Sequence, residues 1–356
     1  MVPHAADPDP ALVALGWDEG LAADFAAADD GALVPARALE VQRGFVLVGG
    51  AAGEWLAPVP AALRKSPEPW SQAGPPATGD WLVVEPAGAV RGILPRRTVL
   101  RRFDETAGNE ILVANADLAV VVTSLNRDLN VGRIERLFAI AHEGGIPGLL
   151  ALSKSDLSTD PAIEARKLAA ELGVETVFFS SRTGGGLEPL RARLRPRRTT
   201  VLIGSSGVGK STLVNTLLGE ELQRTLEIRA GDDRGRHATT SRTLLRLPDG
   251  ALVVDTPGLR SPRPSGAGGL ETTFEDVFAL ARNCRFADCT HQSEPGCAVR
   301  AAVEAGELPA RRVEALRKLE AEVIQAEERS TPEGRSKRRA RERAANAEFY
   351  RDLRER

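Results

Sequence analysis

The sequence predicts a multidomain α/β protein: a small N-terminal β-barrel, a larger parallel α/β sheet and a C-terminal helical segment. Three observations predict it. Short apolar runs broken by Gly and Pro fill residues 35–103. From residue 111, strand-length apolar runs alternate with helix-length amphipathic ones. Residues 269–330 show helical periodicity, interrupted by one Cys/His-rich stretch.

Each element follows from its local pattern. Residues 1–34 form an Ala- and Asp-rich extension in which "ALVALGWDEGLAADFAAA" suits a short helix. "ARALEV", "GFVLV", "EWLAPV", "GDWLVVE", "VRGILP" and "TVLRR" then read as strands. Short strands this close together suggest a small closed barrel, of which the OB-fold is one candidate. "LRKSPEPWSQAGPPATGD" is too rich in Pro and Gly to be regular and reads as a mobile loop. Within 111–268, "LAVVVTSL" is a buried-strand pattern. "VGRIERLFAIAHE" follows it, with Ile134, Leu137, Phe138 and Ala141 on one helical face. The strands "GLLALS", "ETVFFS" and "TTVLIG" alternate with helices over 161–172, in "GLEPLRARL" and from 210, which predicts a parallel sheet covered on both faces. "TLLRLP" and "ALVVDTPG" add two strands. Val313, Leu316, Leu319 and Val323 mark an amphipathic helix, and residues 331–356 form a basic tail that reads as partly disordered.

Composition narrows the function. The 356 residues carry a net charge of −2, so any nucleic-acid contact must come from local patches. No apolar run is long enough to span a membrane, and the N-terminus lacks a secretory pattern, so a cytoplasmic protein is expected. Three cysteines in such a chain argue for a metal or isolated thiols rather than disulfides.

Chemistry concentrates in four stretches. "GSSGVGKST" (Gly204, Ser205, Ser206, Gly207, Val208, Gly209, Lys210, Ser211, Thr212) follows an apolar strand and opens a helix, the context a phosphate-binding loop requires. Its glycines let backbone N–H groups turn toward phosphates. Lys210 can neutralise them, and Ser211 can complete a Mg²⁺ shell. "VVDTPG" places Asp255 at a strand end to hold Mg²⁺ through water, and Gly258 to offer an N–H to a γ-phosphate. Between them lies "RAGDDRGRHATTSR", where Thr239 or Thr240 is expected to reach Mg²⁺, with Thr240 favoured. Leu259 stands where Ras-like proteins carry a water-orienting Gln, so His237 or a partner must complete hydrolysis, or turnover is slow.

"LSKSD" (Ser153, Lys154, Ser155, Asp156) ends a strand as a guanine-reading loop should. Asp156 can accept from guanine N1–H and the 2-amino group, a donor pair adenine lacks. Lys154 can lay its stem over the purine. Asn is usual at the first position, so Ser153 is expected to weaken binding while guanine preference stays. Ser180 and Ser181 end the next strand, where a backbone N–H can approach guanine O6. This base-reading pair precedes the phosphate loop. An ordinary GTPase has the reverse order, so the domain is read as circularly permuted, joined through "GLEPLRARLRPRRTT".

Cys284-x4-Cys289-x-His291-x5-Cys297 offers three thiolates and an imidazole, suited to one structural tetrahedral Zn²⁺. Arg96, Arg97, Arg101 and Arg102 cluster at the end of the barrel segment and are candidate RNA contacts, as are Arg335, Lys337, Arg338, Arg339, Arg341 and Arg343 in the tail. Trp81 reads as core rather than a base-stacking surface.

Through "GDWLVV", "LPRRTVLRR", "ANADLAVVVTS", "LSKSD", "GSSGVGKSTLVN", "GRHATTSR", "DTPGLRS" and the Cys284–Cys297 cluster, the chain resembles the RsgA family of circularly permuted GTPases over nearly its whole length. The resemblance implies an N-terminal OB-fold, a circularly permuted P-loop GTPase domain and a C-terminal α-helical zinc-binding domain. It implies binding of GTP and GDP and of the small ribosomal subunit with its rRNA, and GTP hydrolysis stimulated by the subunit during late maturation; a monomer is expected. His237, in "GRH", is the implied catalytic residue. Ser153 and Ala238 depart from the family pattern. The rival reading is a GTP-gated RNA-binding scaffold with little hydrolysis, motivated by Leu259.

Overall fold

The computed structural model describes residues 9–28, 31–64, 75–104, 108–126, 129–219, 242–257, 263–264 and 266–330. His237, Thr239, Thr240, Gly258, Leu259 and the basic tail lie outside these residues.

The N-terminal extension holds two helices rather than one, α1 (Pro10–Ala14) and α2 (Glu19–Ala28). Gly16, in the left-handed region at φ 94°, lies in the turn that separates them. Leu12, Trp17 and Leu21 pack with Trp81, which is 1% exposed and therefore core. The barrel strands are β1 (Val34–Gln42), β2 (Phe45–Gly50), β3 (Gly53–Pro58), β4 (Trp81–Val84) and β5 (Val90–Ile93), with a short helix α3 (Ala61–Arg64) after β3. All pairings within it are antiparallel, in the order β3-β2-β1-β4-β5. The five strands share one buried core, including Ala36, Ala38, Val46, Val48, Leu82, Val84 and Val90, and among the described residues β3 and β5 do not pair, so the barrel is partly open.

The sixth expected barrel strand belongs elsewhere. β6 (Val99–Asp104) pairs with β7 (Gly108–Ala114) in a separate two-stranded sheet. Val99 N–H donates to Gly144 O, so this hairpin leans on the neighbouring domain.

That domain contains β8 (Leu118–Ser124), α4 (Val131–Glu143), β9 (Gly148–Ser153), α5 (Pro161–Leu172), β10 (Thr176–Phe178), α6 (Leu187–Arg191), β11 (Thr199–Ile203), α7 (Lys210–Leu218), β12 (Thr243–Arg246) and β13 (Leu252–Asp255). Its strands lie in the order β10-β9-β8-β11-β13-β12, parallel except for β12. The chain winds outward from β8 to β10, then returns through α6 to the centre at β11. The winding reverses between β8 and β11, and clefts outside the carboxyl ends of strands form at such a point. The strands are buried on both faces, which explains their continuous apolar runs.

Among the described residues, eleven strands join into one sheet, because β1 also pairs with β12 through Glu40 and Thr243. Thr243 Oγ1 donates to Glu40 Oε2 at 3.1 Å, and Thr78 Oγ1 donates to Arg242 O at 2.9 Å. The barrel is thus stitched to the strand that follows residues 220–241.

The C-terminal segment forms α8 (Gly268–Thr273), α9 (Glu275–Ala281), α10 (Ala298–Glu304) and α11 (Ala310–Ser330). Val313, Leu316, Leu319 and Val323 are buried with Phe274, Val277 and Val299. α8 packs directly on α4: a Cβ on Gly269 would lie 1.9 Å from Ala139 O, so only glycine permits this approach. Buried ions reinforce the contact. Glu135 of α4 is fully buried and accepts from Arg312 Nη1 at 2.7 Å and Arg311 Nη1 at 3.0 Å. Arg312 also bonds Asp276 and Thr273 O, and stacks over Phe274 at 4.5 Å. No described helix is long and apolar enough to cross a membrane.

Candidate functional site

The loops after β9, β10, β11 and β13 converge at the carboxyl edge of the sheet. The phosphate loop follows β11, where Gly207 and Gly209 take φ of 79° and 97°, values side chains disfavour. Lys210 starts α7, is 6% exposed and donates from Nζ to Gly204 O and Ser205 O, both at 3.0 Å. Burial pulls its pKa below the usual lysine value, and the nearby Asp255 carboxylate opposes that shift. Ser211 Oγ donates to Asp255 Oδ2 at 2.9 Å, so a hydroxyl and a carboxylate sit together beside the loop as an octahedral divalent ion requires. Ser205 Oγ accepts from Arg133 Nη1 at 3.1 Å, which the sequence reading did not single out. Asn130 caps α4 through Arg133 N–H and so fixes where that arginine emerges.

The loop after β9 is tied to the phosphate loop. Ser153 is 2% exposed, and its hydroxyl lies 2.6 Å from Val208 O and 3.1 Å from Thr123 O. Lys154, in the left-handed region at φ 57°, donates to Gly207 O at 3.0 Å. Ser155 opens a 3-10 turn and donates its N–H to Phe179 O. Asp156 then faces the loop after β10. Its Oδ1 accepts from Ser180 Oγ at 2.5 Å, and its Oδ2 from Arg182 Nε at 3.0 Å. The Ser180 hydroxyl, followed by Arg182, holds the Asp156 carboxyl below the usual carboxylate range. Ser153, Lys154, Asp156, Ser180, Ser181, Arg182, Val208, Gly209 and Thr212 line one open cavity of about 440 Å³. The cavity is thus lined both by the Asp156 carboxylate and by the end of the glycine-rich loop before α7. Ser206 is exposed on the phosphate loop.

The second cluster is local. The ligand atoms of Cys284, Cys289, His291 and Cys297 all lie within 4.8 Å of one another. Cys284 Sγ is 3.6 Å from His291 Nδ1 and 3.9 Å from Cys297 Sγ, and Cys297 Sγ is 3.4 Å from His291 Nδ1. A tetrahedral ion with ordinary sulfur and nitrogen bond lengths has edges of about 3.8 and 3.6 Å, so Cys284, His291 and Cys297 are spaced as ligands of such an ion, with Cys289 beside them. Burial lowers the His291 pKa, which favours the neutral, ligating imidazole. Arg317 of α11 donates to His291 O at 2.5 Å and holds the ligand loop.

The basic edge needs correction. Arg96 is not a surface cation: its side chain is 4% exposed and forms a two-pronged pair with the fully buried Asp80, at 2.7 and 2.6 Å. A buried carboxylate needs that counter-charge, so Arg96 is structural and is withdrawn as an RNA contact. Arg97 pairs with Asp18 of the N-terminal extension, whose pKa falls to about 2 through that bond. Arg102 pairs with Glu110 at 2.9 Å, and Glu110 also takes Arg242. Arg101 is half-buried.

The family model described as RsgA GTPase matches residues 93–264. A small ribosomal subunit biogenesis GTPase RsgA from Syntrophotalea carbinolica is 40% identical over 88% of this chain and 89% of its own length. One from Streptomyces coelicolor is 43% identical over 87% and 86%. The crystal structure of YjeQ from Thermotoga maritima shares the fold, with TM-score 0.58 and 24% identity over 82% of this chain and 99% of that one. So does YloQ, described as a circularly permuted GTPase, with TM-score 0.58, 23% identity and coverage of 83% and 98%. By sequence similarity over nearly all of its length, and by the reversed order of its base-facing and phosphate-facing loops, the chain belongs to the RsgA family of GTPases.

Proposed function

We propose that this protein is a GTPase that binds the small ribosomal subunit, assists its late maturation and hydrolyses GTP to GDP and phosphate when docked on it. One observation carries the reading: Asp156 and the phosphate loop line a single cavity, joined by the bonds from Ser153 and Lys154. Asp156 accepts the guanine donor pair, and an adenine in its place would leave the carboxylate without donors. Ser180 and Ser181 close the base edge. Backbone N–H groups from Gly204 to Gly209 surround the phosphates, with Ser205, Ser206 and Thr212 around them, and Lys210 exchanges its carbonyl partners for phosphate oxygens. Ser211 and Asp255, with Thr240, would hold Mg²⁺, which would supply charge neutralisation at the phosphates. Gly258 offers its N–H to the γ-phosphate, and His237 is the proposed catalytic residue. Zn²⁺ is the proposed ion of the Cys284, Cys289, His291 and Cys297 cluster, since thiolates and imidazole in a tetrahedron suit it.

Of the expected division into 35–103 barrel, 111–268 GTPase and 269–330 metal-binding module, we keep the last two and end the barrel before hairpin β6–β7, which lies at the first junction. Arg97, Arg101 and Arg102 remain as rRNA contacts of a monomer acting in the cytoplasm. GTP turnover with and without purified small subunits, across a salt series, tests the whole. Stimulation that falls steeply with salt is expected; none would leave a GTP-gated scaffold. ATP competing equally with GTP would overturn the guanine reading.

A further inference from the structure

Asp156 is the carboxylate that guanine needs, and Arg182 already engages it. Arg182 donates to Asp156 Oδ2 from Nε at 3.0 Å, and its Nη2 lies 2.9 Å from the same oxygen. The two donors flank one carbon of a planar guanidinium. Guanine presents the same arrangement: N1–H and a 2-amino N–H on either side of C2. Arg182 is thus chemically a fragment of the base, carried on the loop that closes the base end of the cavity. Its side chain is 75% exposed while that of Asp156 is 13% exposed, so the arginine can swing into water without unpacking anything. Ser180 holds the other oxygen, Oδ1, and keeps the carboxylate oriented in either case.

We infer that Arg182 is an internal stand-in for guanine: in protein without nucleotide it occupies Asp156, and GTP or GDP binds by displacing it. This rests on the assignment of Asp156 as the base reader. Two consequences follow. Between product release and reloading, Oδ2 of the carboxylate keeps a donor for most of the time, and Ser180 stays on Oδ1. Apparent affinity is reduced by the fraction of time the pair is closed. An exposed pair closed about four-fifths of the time leaves about one-fifth of the protein competent, a fivefold loss. Because the pair is ionic, the loss shrinks as salt screens it.

The test is the dissociation constant of GDP by titration calorimetry for full-length wild type, Arg182→Ala and Arg182→Lys, each checked for folding by its thermal transition. Arg182→Ala is expected to bind GDP about fivefold more tightly. Arg182→Lys, with charge but no planar donor pair, should fall between it and wild type. The gap between Arg182→Ala and wild type should narrow as salt rises from about 0.05 to 0.5 M. Unchanged or weaker GDP binding by Arg182→Ala overturns the inference, the latter making Arg182 a nucleotide contact. A parallel titration with ADP separates the two readings. If ADP binds wild type as well as GDP does, the base assignment of Asp156 has failed. If ADP is rejected and Arg182→Ala is unchanged, only the stand-in has failed.

Discussion

The metal-ligand cluster and the nucleotide cradle use the chain in opposite ways. All four donors of the cluster lie between Cys284 and Cys297, and their ligand atoms lie within 4.8 Å of one another. The cradle is gathered from the ends of four strands, and its groups are bonded to each other: Lys210 to Gly204 and Ser205, Ser211 to Asp255, Lys154 to Gly207, Arg182 to Asp156. A structural ion wants donors with no alternative. A site that must release its product wants donors and acceptors with replaceable partners. In the cradle each ligand contact substitutes for an internal bond, which keeps groups oriented and limits net affinity. Helix α11 joins the two regions, touching the ligand loop through Arg317 and α4 through Arg312.

The sharpest way to break this contrast is to disable the proposed zinc site. Structural zinc contributes about 10–16 kcal/mol in small modules. Cys297→Ser, or chelation, is expected to unfold residues 269–330 while the cradle still binds GDP. Metal content, limited proteolysis and nucleotide titration read this together, and simultaneous loss of both would make the regions one cooperative unit. Next is the link itself. Arg312→Ala leaves the buried Glu135 short of its counter-charge and should cost about 3–5 kcal/mol, measured by denaturant unfolding.

Within the cradle, Asp156→Asn removes two charge-assisted bonds to the base. GTP affinity should fall at least about 100-fold, with xanthosine triphosphate binding better than GTP. Lys210→Ala should weaken GTP by about 10- to 100-fold without changing base preference. The smallest effect is at Ser153. Its hydroxyl already makes the bond to the phosphate loop that an asparagine would make, so only the base contact is missing. Ser153→Ala should loosen GTP binding by about two- to tenfold. Ser153→Asn should tighten it by less, and no change would show that the buried pocket cannot seat the longer side chain.

The contrast also marks what a linear reading can see. The phosphate loop and the Cys/His cluster are legible because their function is local backbone geometry: glycines before a helix, and donors spaced around one ion. The permuted order is legible because each loop announces itself at a strand end. The pairing of β6 with β7 was not, since a strand's partner is set by what lies across from it. The expected single N-terminal helix became two, where a glycine turn lets Trp17 reach Trp81. Arg182 directly follows Ser180 and Ser181 in the sequence, yet nothing in its neighbours pointed to Asp156.

By itself, then, the sequence marked the candidate chemistry: a glycine-rich loop before a helix, a carboxylate at a strand end, and four Cys/His donors that the structure gathers together. The order of these loops along the chain determined the permuted sheet. Only the tertiary structure decided which charges are free. It turned Arg96 from a surface cation into the partner of buried Asp80, paired Arg97 with Asp18, set Arg182 on Asp156 and locked Glu135 to Arg312. The reason is physical. Backbone turns and ligand spacings are fixed by a few adjacent residues, whereas the fate of a charge depends on desolvation and on partners folded in from far away, as Glu135 and Arg312 show.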